Sequence, residues 1–160
     1  MLTTPQATQE DKPRLWTLLQ SYLGELSAWY GDQPDRTGTY PYPWLDSYFT
    51  DPDRAALFLQ EGGETAGFAL VNRFSALGES PDHAMAEFFV LPERRRKGLG
   101  LAFAREIFRR YPGSWEIKYH RDNRPAGALW SRAAEPFRPR VTALGEEVVL
   151  SFVVSKEVLP

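Results

Sequence analysis

The 160-residue chain contains no cysteine. That excludes disulfides, thiolate-bound zinc and a cysteine nucleophile together. Its two histidines, His83 and His120, lie on separate segments, so a zinc cage and any other metal site are not expected. No apolar run approaches the length of a membrane span, and the opening Met1-Leu2-Thr3-Thr4-Pro5 lacks a charged-then-apolar signal pattern. A cytoplasmic protein without a membrane partner is the expectation. The formal net charge of −2 is far from that of a general polyanion binder, so no nucleic-acid partner is expected. Repeats, linkers and low-complexity stretches are missing too, which predicts one domain over 1–160. With 42% hydrophobic and 14% aromatic residues, the chain can bury one good core.

The most informative stretch is Ala86 to Phe108. Ala86-Glu87-Phe88-Phe89-Val90 reads as a buried strand, and Pro92 ends it because proline has no N–H for the ladder. A basic, glycine-bearing loop follows, Arg94-Arg95-Arg96-Lys97-Gly98-Leu99-Gly100. Then comes an amphipathic helix with Leu99, Phe103 and Ile107 on one stripe and Ala104, Phe108 and Tyr111 beside it. Strand, glycine loop and helix together bind anions: the first helical N–H groups lack partners and the dipole turns its positive end toward the loop. The arginines and Lys97 add full charges. These properties point to a pyrophosphate site.

Two familiar pyrophosphate signatures do not fit. The Walker pattern fails because the lysine precedes its glycine and no Ser or Thr follows, and the dinucleotide fingerprint fails because only Gly98 and Gly100 are present. Arg95-Arg96-Lys97-Gly98-Leu99-Gly100 instead resembles [QR]-x-x-G-x-[GA], the acetyl-coenzyme A loop of the GNAT acetyltransferase superfamily. A second stretch, Asn123-Arg124-Pro125-Ala126-Gly127-Ala128-Leu129-Trp130, resembles that superfamily's N-x-x-A-x-x-[LF]-Y, with tryptophan where tyrosine is usual. The texture is similar to that of a small bacterial branch of unassigned substrate. The motifs cover Ala86 to Ala134; elsewhere only the order of elements agrees.

The rest of the chain reads as follows. Leu2 to Ala7 is a candidate first strand. Thr8 or Asp11 can cap a helix that has Pro13 in its first turn and carries Leu15, Leu18, Leu19, Tyr22, Leu26 and Trp29 until Gly31. Gly31 to Pro43 is a loop holding Tyr40 and Tyr42, and a short helix over Trp44 to Phe49 follows. These aromatics line a substrate pocket or form a lid on the sheet; both readings stand. Ala55–Glu61 and Thr65–Phe74 form a hairpin at Gly62-Gly63. The helix from Leu99 stops at Pro112-Gly113, Ser114 to His120 alternates as a strand, and the Ala126 helix closes at Pro136. Arg138–Leu144 and Glu147–Val154 form a last hairpin, with Pro139 on an exposed edge or at a bulge. The expected fold is α/β. By resemblance it is a GNAT-type mixed, mostly antiparallel sheet of about six to seven strands, splayed between strands four and five, with helices on both faces.

The resemblance implies an acetyl-CoA-dependent N-acetyltransferase acting by direct transfer on a primary amine, with acetyl-CoA as co-substrate. A small molecule or amino acid is preferred over a protein as the acceptor, and a homodimer is left open. It implies main-chain contacts from Phe89, Val90 and Leu91 to the pantetheine arm. A pyrophosphate wrap by Arg95, Arg96, Lys97, Gly98, Leu99, Gly100 and Leu101 is also implied. Asn123, Ala126 and Trp130 would flank the arm, and Tyr22, Tyr40, Tyr42 and Trp44 would meet the acceptor. Two carboxylates qualify as base. Glu87 stands inside an apolar strand, where burial would raise its pKa, unless Arg73 or Lys118 pairs with it. Glu116 stands near the start of the fifth strand, unless it faces solvent. Glu87 is preferred. His120 and Tyr119 lie nearby. Two other classes are carried: a CoA-binding sensor or degenerate domain, motivated by Trp130, and a nucleic-acid module using Arg94 to Lys97.

Overall fold

In the computed structural model, described here for residues 1–95 and 97–156, each periodic segment becomes the element its pattern implies. Helix α1 (Lys12–Tyr30) carries Pro13 in its first turn and ends at Gly31, whose left-handed φ of 73° suits a residue without Cβ. The second helix, α2 (Ser47–Thr50), is a single turn and shorter than expected. Helix α3 (Leu99–Arg110) buries Leu99, Phe103, Ala104, Ile107 and Phe108, the expected stripe, and helix α4 (Arg124–Ala134) buries Trp130, Ala133 and Ala134. Among the described residues no helix is long and apolar enough to cross a membrane.

The strands are β1 (Leu2–Thr3), β2 (Ala55–Glu61), β3 (Glu64–Asn72), β4 (His83–Val90), β5 (Gly113–His120), β6 (Arg140–Leu144) and β7 (Glu147–Val154). They form one sheet in the order β1-β2-β3-β4-β5-β7-β6. All neighbours are antiparallel except β4 and β5. The first strand keeps only two residues, with Gln6 adding an isolated bridge to Leu57. Gly62 and Gly63 turn the first hairpin with positive φ at both positions, as a tight two-residue turn requires. Pro139 directly precedes β6, an edge strand.

Two irregularities of β4 position the site. The first is that β4 and β5 pair only over His83–Trp115, Ala84–Glu116 and Met85–Ile117; beyond that point the strands separate. The second is a bulge. Leu70 opposes Glu87 while Val71 opposes Met85, so Ala86 is an extra residue in β4. Strict alternation would put Glu87 on the face of Met85, toward α3 and α4. The extra residue turns it to the opposite face, where Ala86 and Phe89 pack beneath α1 and α2. Farther along, Gly67 lets the two backbones touch: a Cβ there would stand 1.8 Å from the Phe89 carbonyl oxygen.

The sheet separates two apolar clusters. One joins Leu57, Leu59, Met85, Val90 and Ile117 to α3 and α4; the other joins Phe58, Phe68, Leu70 and Phe89 to Leu15 and Leu19 of α1 and Tyr48 of α2. Each fully buried Leu or Phe contributes roughly 1.5–3 kcal/mol by leaving water. This two-sided burial holds the fork of β4 and β5 open, because the forked ends are each anchored to a different neighbour strand.

Candidate active site

The fork opens into a cavity of about 720 Å³. Its walls include Glu87, Phe88, Glu116, Tyr119, Asn123, Ala126 and Trp130, so residues from both sequence motifs and both candidate bases meet in one space. Antiparallel pairing turns alternate backbone groups to opposite edges of a strand. The Leu91 N–H donates to the Ala66 carbonyl at 2.8 Å, which fixes the parity: Glu87 and Phe89 bond toward β3, and Phe88 and Val90 turn toward the fork. Of Phe89, Val90 and Leu91, then, only Val90 turns its backbone toward the fork, none of the three is among the residues lining the cavity, and the Val90 carbonyl is taken by Arg95 Nε at 2.7 Å. Phe88, which the sequence reading missed, faces the fork because the bulge shifts the parity.

Glu87 is half-buried at the fork. Its Oε1 accepts from the Tyr22 hydroxyl and its Oε2 from the Tyr42 hydroxyl, each at 3.1 Å. Burial pushes the carboxyl up to about 7, against the two tyrosine donors and the more distant positive charge of Lys118, which pull it down. Both phenols are driven upward, by burial and by the carboxylate, so each remains a neutral donor at physiological pH. The expected alternative partners are engaged elsewhere: Arg73 with Asp53 at 3.6 Å and Lys118 with Glu147 at 3.5 Å.

Glu116 faces away from solvent, only 4% exposed, contrary to the alternative considered for it. Its carboxylate accepts from the Ser75 hydroxyl and the Ala76 N–H, both at 2.5 Å, fastening the loop after β3. On the other wall, the Asn123 side chain caps α4 by accepting from the Ala126 N–H at 3.3 Å. Trp130 is 4% exposed and meets Phe88 edge to face at 4.9 Å. Gly127 leaves room for the Tyr119 ring, which a Cβ would approach to 3.1 Å.

The basic loop spends much of its charge internally. Arg94 is held by Glu61 and Glu64 on the first hairpin, and Arg95 by Glu25 of α1 at 2.9 Å, with its guanidinium over Phe89. The expectation that Arg94 and Arg95 both lend free charge to an anion is therefore corrected. Lys97 is exposed; Arg96 lies outside the described residues. Gly98 caps α3 with a φ of 71°, and its carbonyl accepts from Ala102, leaving the N–H groups of Leu99, Gly100 and Leu101 without intrahelical partners. Around Gly100 the nearest atoms to a Cβ would be Leu129 carbons at 3.6 and 3.7 Å, so nothing among the described residues demands glycine there.

Among the aromatics named from sequence, Tyr22, Tyr42 and Trp44 line the cavity. Tyr40 does not. Its main chain is clamped by the Gln20 amide, N–H to Oε1 at 2.7 Å and C=O to Nε2 at 2.8 Å, and its ring lies against Gly24 of α1. Tyr40 anchors the loop that carries Tyr42. The sequence reading also missed Tyr30, Tyr48, Arg54, Asn72, Phe74 and Glu147, which are among the other lining residues. Asn72 Nδ2 donates to the Tyr48 hydroxyl at 3.0 Å, and Tyr48 is in turn a neighbour of Tyr42. An asparagine ending an otherwise apolar strand was the one visible signal for this group.

The splayed sheet and the glycine-capped helix beside the fork can be placed against known proteins. A model of the acetyltransferase (GNAT) family matches residues 15–135. The chain belongs to the GNAT acetyltransferase family. Solved GNAT-like folds agree across nearly the whole length. An acetyltransferase from Thermus thermophilus superposes with a TM-score of 0.68 at 19% identity, covering 96% of either chain. A GNAT-family acetyltransferase from Streptococcus agalactiae 2603 gives 0.72 at 13%, covering 97% of this chain and 96% of that one. Aminoglycoside acetyltransferase AAC(6')-Ib in complex with coenzyme A gives 0.69 at 15%, covering 99% and 96%. No curated protein matches the sequence. The seven-stranded, mostly antiparallel sheet with its single parallel pair is thus the expected GNAT fold, and residues 15–135 contain both sequence motifs.

Proposed function

We propose that the protein transfers an acetyl group from acetyl-CoA to a primary amine of a small molecule, with Glu87 as general base. The carrying observation is Glu87 itself: a carboxylate at the fork of β4 and β5, held by two tyrosine hydroxyls and poised near neutrality. A base is most useful when its pKa lies near the working pH, and here burial supplies that shift. Several solved structures of similar fold contain coenzyme A, and aminoglycoside acetyltransferase AAC(6')-Ib has also been solved with kanamycin, which supports a small-molecule acceptor.

In this reading the N–H groups of Leu99, Gly100 and Leu101, which lack intrahelical partners, hold the pyrophosphate with Lys97 at the positive end of α3. The pantetheine arm lies in the fork beside the Val90 N–H, flanked by Trp130 and Asn123. Glu87 takes a proton from the ammonium, the freed nitrogen attacks the thioester carbon, and the Val90 N–H donates to the oxyanion. The C–S bond breaks, the nitrogen loses its second proton to solvent to leave the amide, and the thiolate, with an ordinary pKa of about 8.5, takes a proton from solvent. No acid from Trp130 is needed; its indole donates hydrogen bonds but does not titrate.

Glu87→Gln should lower kcat/KM by about 10²–10⁴ while CoA affinity is retained. An unchanged rate would remove Glu87 from the chemistry. The tryptophan at position 130 also motivates a second reading, a CoA-binding sensor without turnover. Thiol release from acetyl-CoA with a panel of amines separates the two.

A further inference from the structure

The acceptor half of the cavity carries a charge pattern that selects among amines. Glu116 and Glu87 lie on the same face of the sheet, beneath α1 and α2. Trp115 and Ile117 point to the α3 and α4 cluster, so Glu116 between them points the other way, and the bulge brings Glu87 to that side. Between the two carboxylates the floor consists of Ala84 and Ala86, which leave it open. Both carboxylates are bonded only by neutral donors, hydroxyls for Glu87 and a hydroxyl and an amide for Glu116. Neither has an ion pair among the described residues. Among the described residues the Lys and Arg side chains lining the cavity are already matched, Lys118 by Glu147 and Arg54 by Asp51 at 3.3 Å. The walls include Tyr42 and Trp44, whose ring faces attract ammonium groups, and Tyr48 and Phe74, over whose rings the Arg54 guanidinium already lies at 5.4 and 4.7 Å. Trp44 and Phe74 stand 57% and 64% exposed at its mouth.

We propose that the acceptor is a diamine or polyamine, with its reacting amino group at Glu87 and a second ammonium held by Glu116. Ala84 stands opposite Glu116, and Glu87 lies three residues farther along β4. Ala86 is the bulge residue, so this is about two ladder steps, and at ~3.3 Å per step and ~4.8 Å between strands the two backbones stand roughly 8 Å apart. Two carboxylates at that spacing suit the ammonium groups at the ends of a short aliphatic diamine. An amino acid fits poorly, since its carboxylate would enter a space whose unmatched charges are both negative. This inference rests on the acetyl-transfer reading and adds the class of acceptor.

The test compares 1,4-diaminobutane, butylamine and 4-aminobutanoate, which share a four-carbon chain and differ at the far end. The expected order of kcat/KM is diamine, monoamine, amino acid, with the diamine favoured over butylamine by roughly 10–100-fold. Glu116→Gln should bring that ratio close to one, chiefly through the KM of the diamine. Ser75→Ala, which loosens the loop but leaves the carboxylate, should preserve the ratio; if both variants change it equally, Glu116 only supports the loop and the proposal fails. It fails likewise if butylamine or aminobutanoate equals the diamine, or if the ratio survives Glu116→Gln. Should no amine be acetylated, the transfer reading falls, and a thermal-shift titration with the diamine beside CoA still decides the subsite. Protection of the wild type that Glu116→Gln abolishes supports it; equal protection or none overturns it.

Discussion

At the scale of single residues, Glu87 shows how a side chain acquires a basicity its type does not confer. An exposed glutamate titrates near 4.3 and is a feeble base at neutral pH. Burial at the fork raises it to about 7, and the hydroxyls of Tyr22 and Tyr42 restrain that rise by stabilising the charged form. The effect of Tyr42 can be separated. Tyr42→Phe removes one donor, so the carboxyl should climb further and the acid limb of the kcat/KM profile should move to higher pH, with the plateau less affected. A limb that stays in place would mean that Glu87 is not the group whose ionisation limits the rate. Tyr40 gives the complementary lesson: an aromatic two residues away in the same loop serves as an anchor, because Gln20 fixes its main chain and turns its ring onto α1.

At the scale of elements, the start of α3 combines freedom and constraint. Gly98 needs its positive φ, whereas Gly100 sits in the first turn with ordinary contacts around a hypothetical Cβ. Gly100→Ala should therefore leave the fold as stable or raise it by up to about 1 kcal/mol, from improved helix propensity. CoA titration should nonetheless show weaker binding, since the methyl intrudes where backbone must approach an oxygen. Gly100→Glu adds a negative charge and should abolish thermal protection by CoA, which for wild type at a hundred times its Kd is ~2.7 kcal/mol. Equal protection of both variants and wild type would move the pyrophosphate elsewhere.

At the scale of the whole molecule, the raised carboxyl of Glu87 makes stability depend on pH in an unusual direction. Between about pH 4.5 and 7 the native state keeps a proton that the unfolded chain has released, so stability falls as pH rises through that window. The loss amounts to at most about 3 kcal/mol and is complete above pH 7. Glu87→Gln should match wild type near pH 4 and exceed it in melting temperature at pH 8. A difference that is the same at both pH values, or larger at pH 4, would show that the native carboxyl is not raised.

The sequence by itself determined the elements and the basic, glycine-bearing loop that opens α3. Periodicity marked α1, α3 and the hairpins, glycines marked their ends, and the spacing around Gly98 and Asn123 brought the family into view, because these signals are local: a helix stripe, a turn or an unpartnered helix start depends on neighbours along the chain. What the fork presents was decided only by tertiary structure. Nothing in Ala86-Glu87-Phe88 announces a bulge, which arises from pairing with β3 and sends Glu87 toward Tyr22 and Tyr42 rather than into the α3 and α4 core. The placement of β7 between β5 and β6, the capture of Arg94 and Arg95 by glutamates far away in sequence, and the meeting of Asn72, Tyr48 and Tyr42 are likewise contacts across the fold. Such partners are chosen by register and packing, and a side chain's charge, exposure and basicity follow from them.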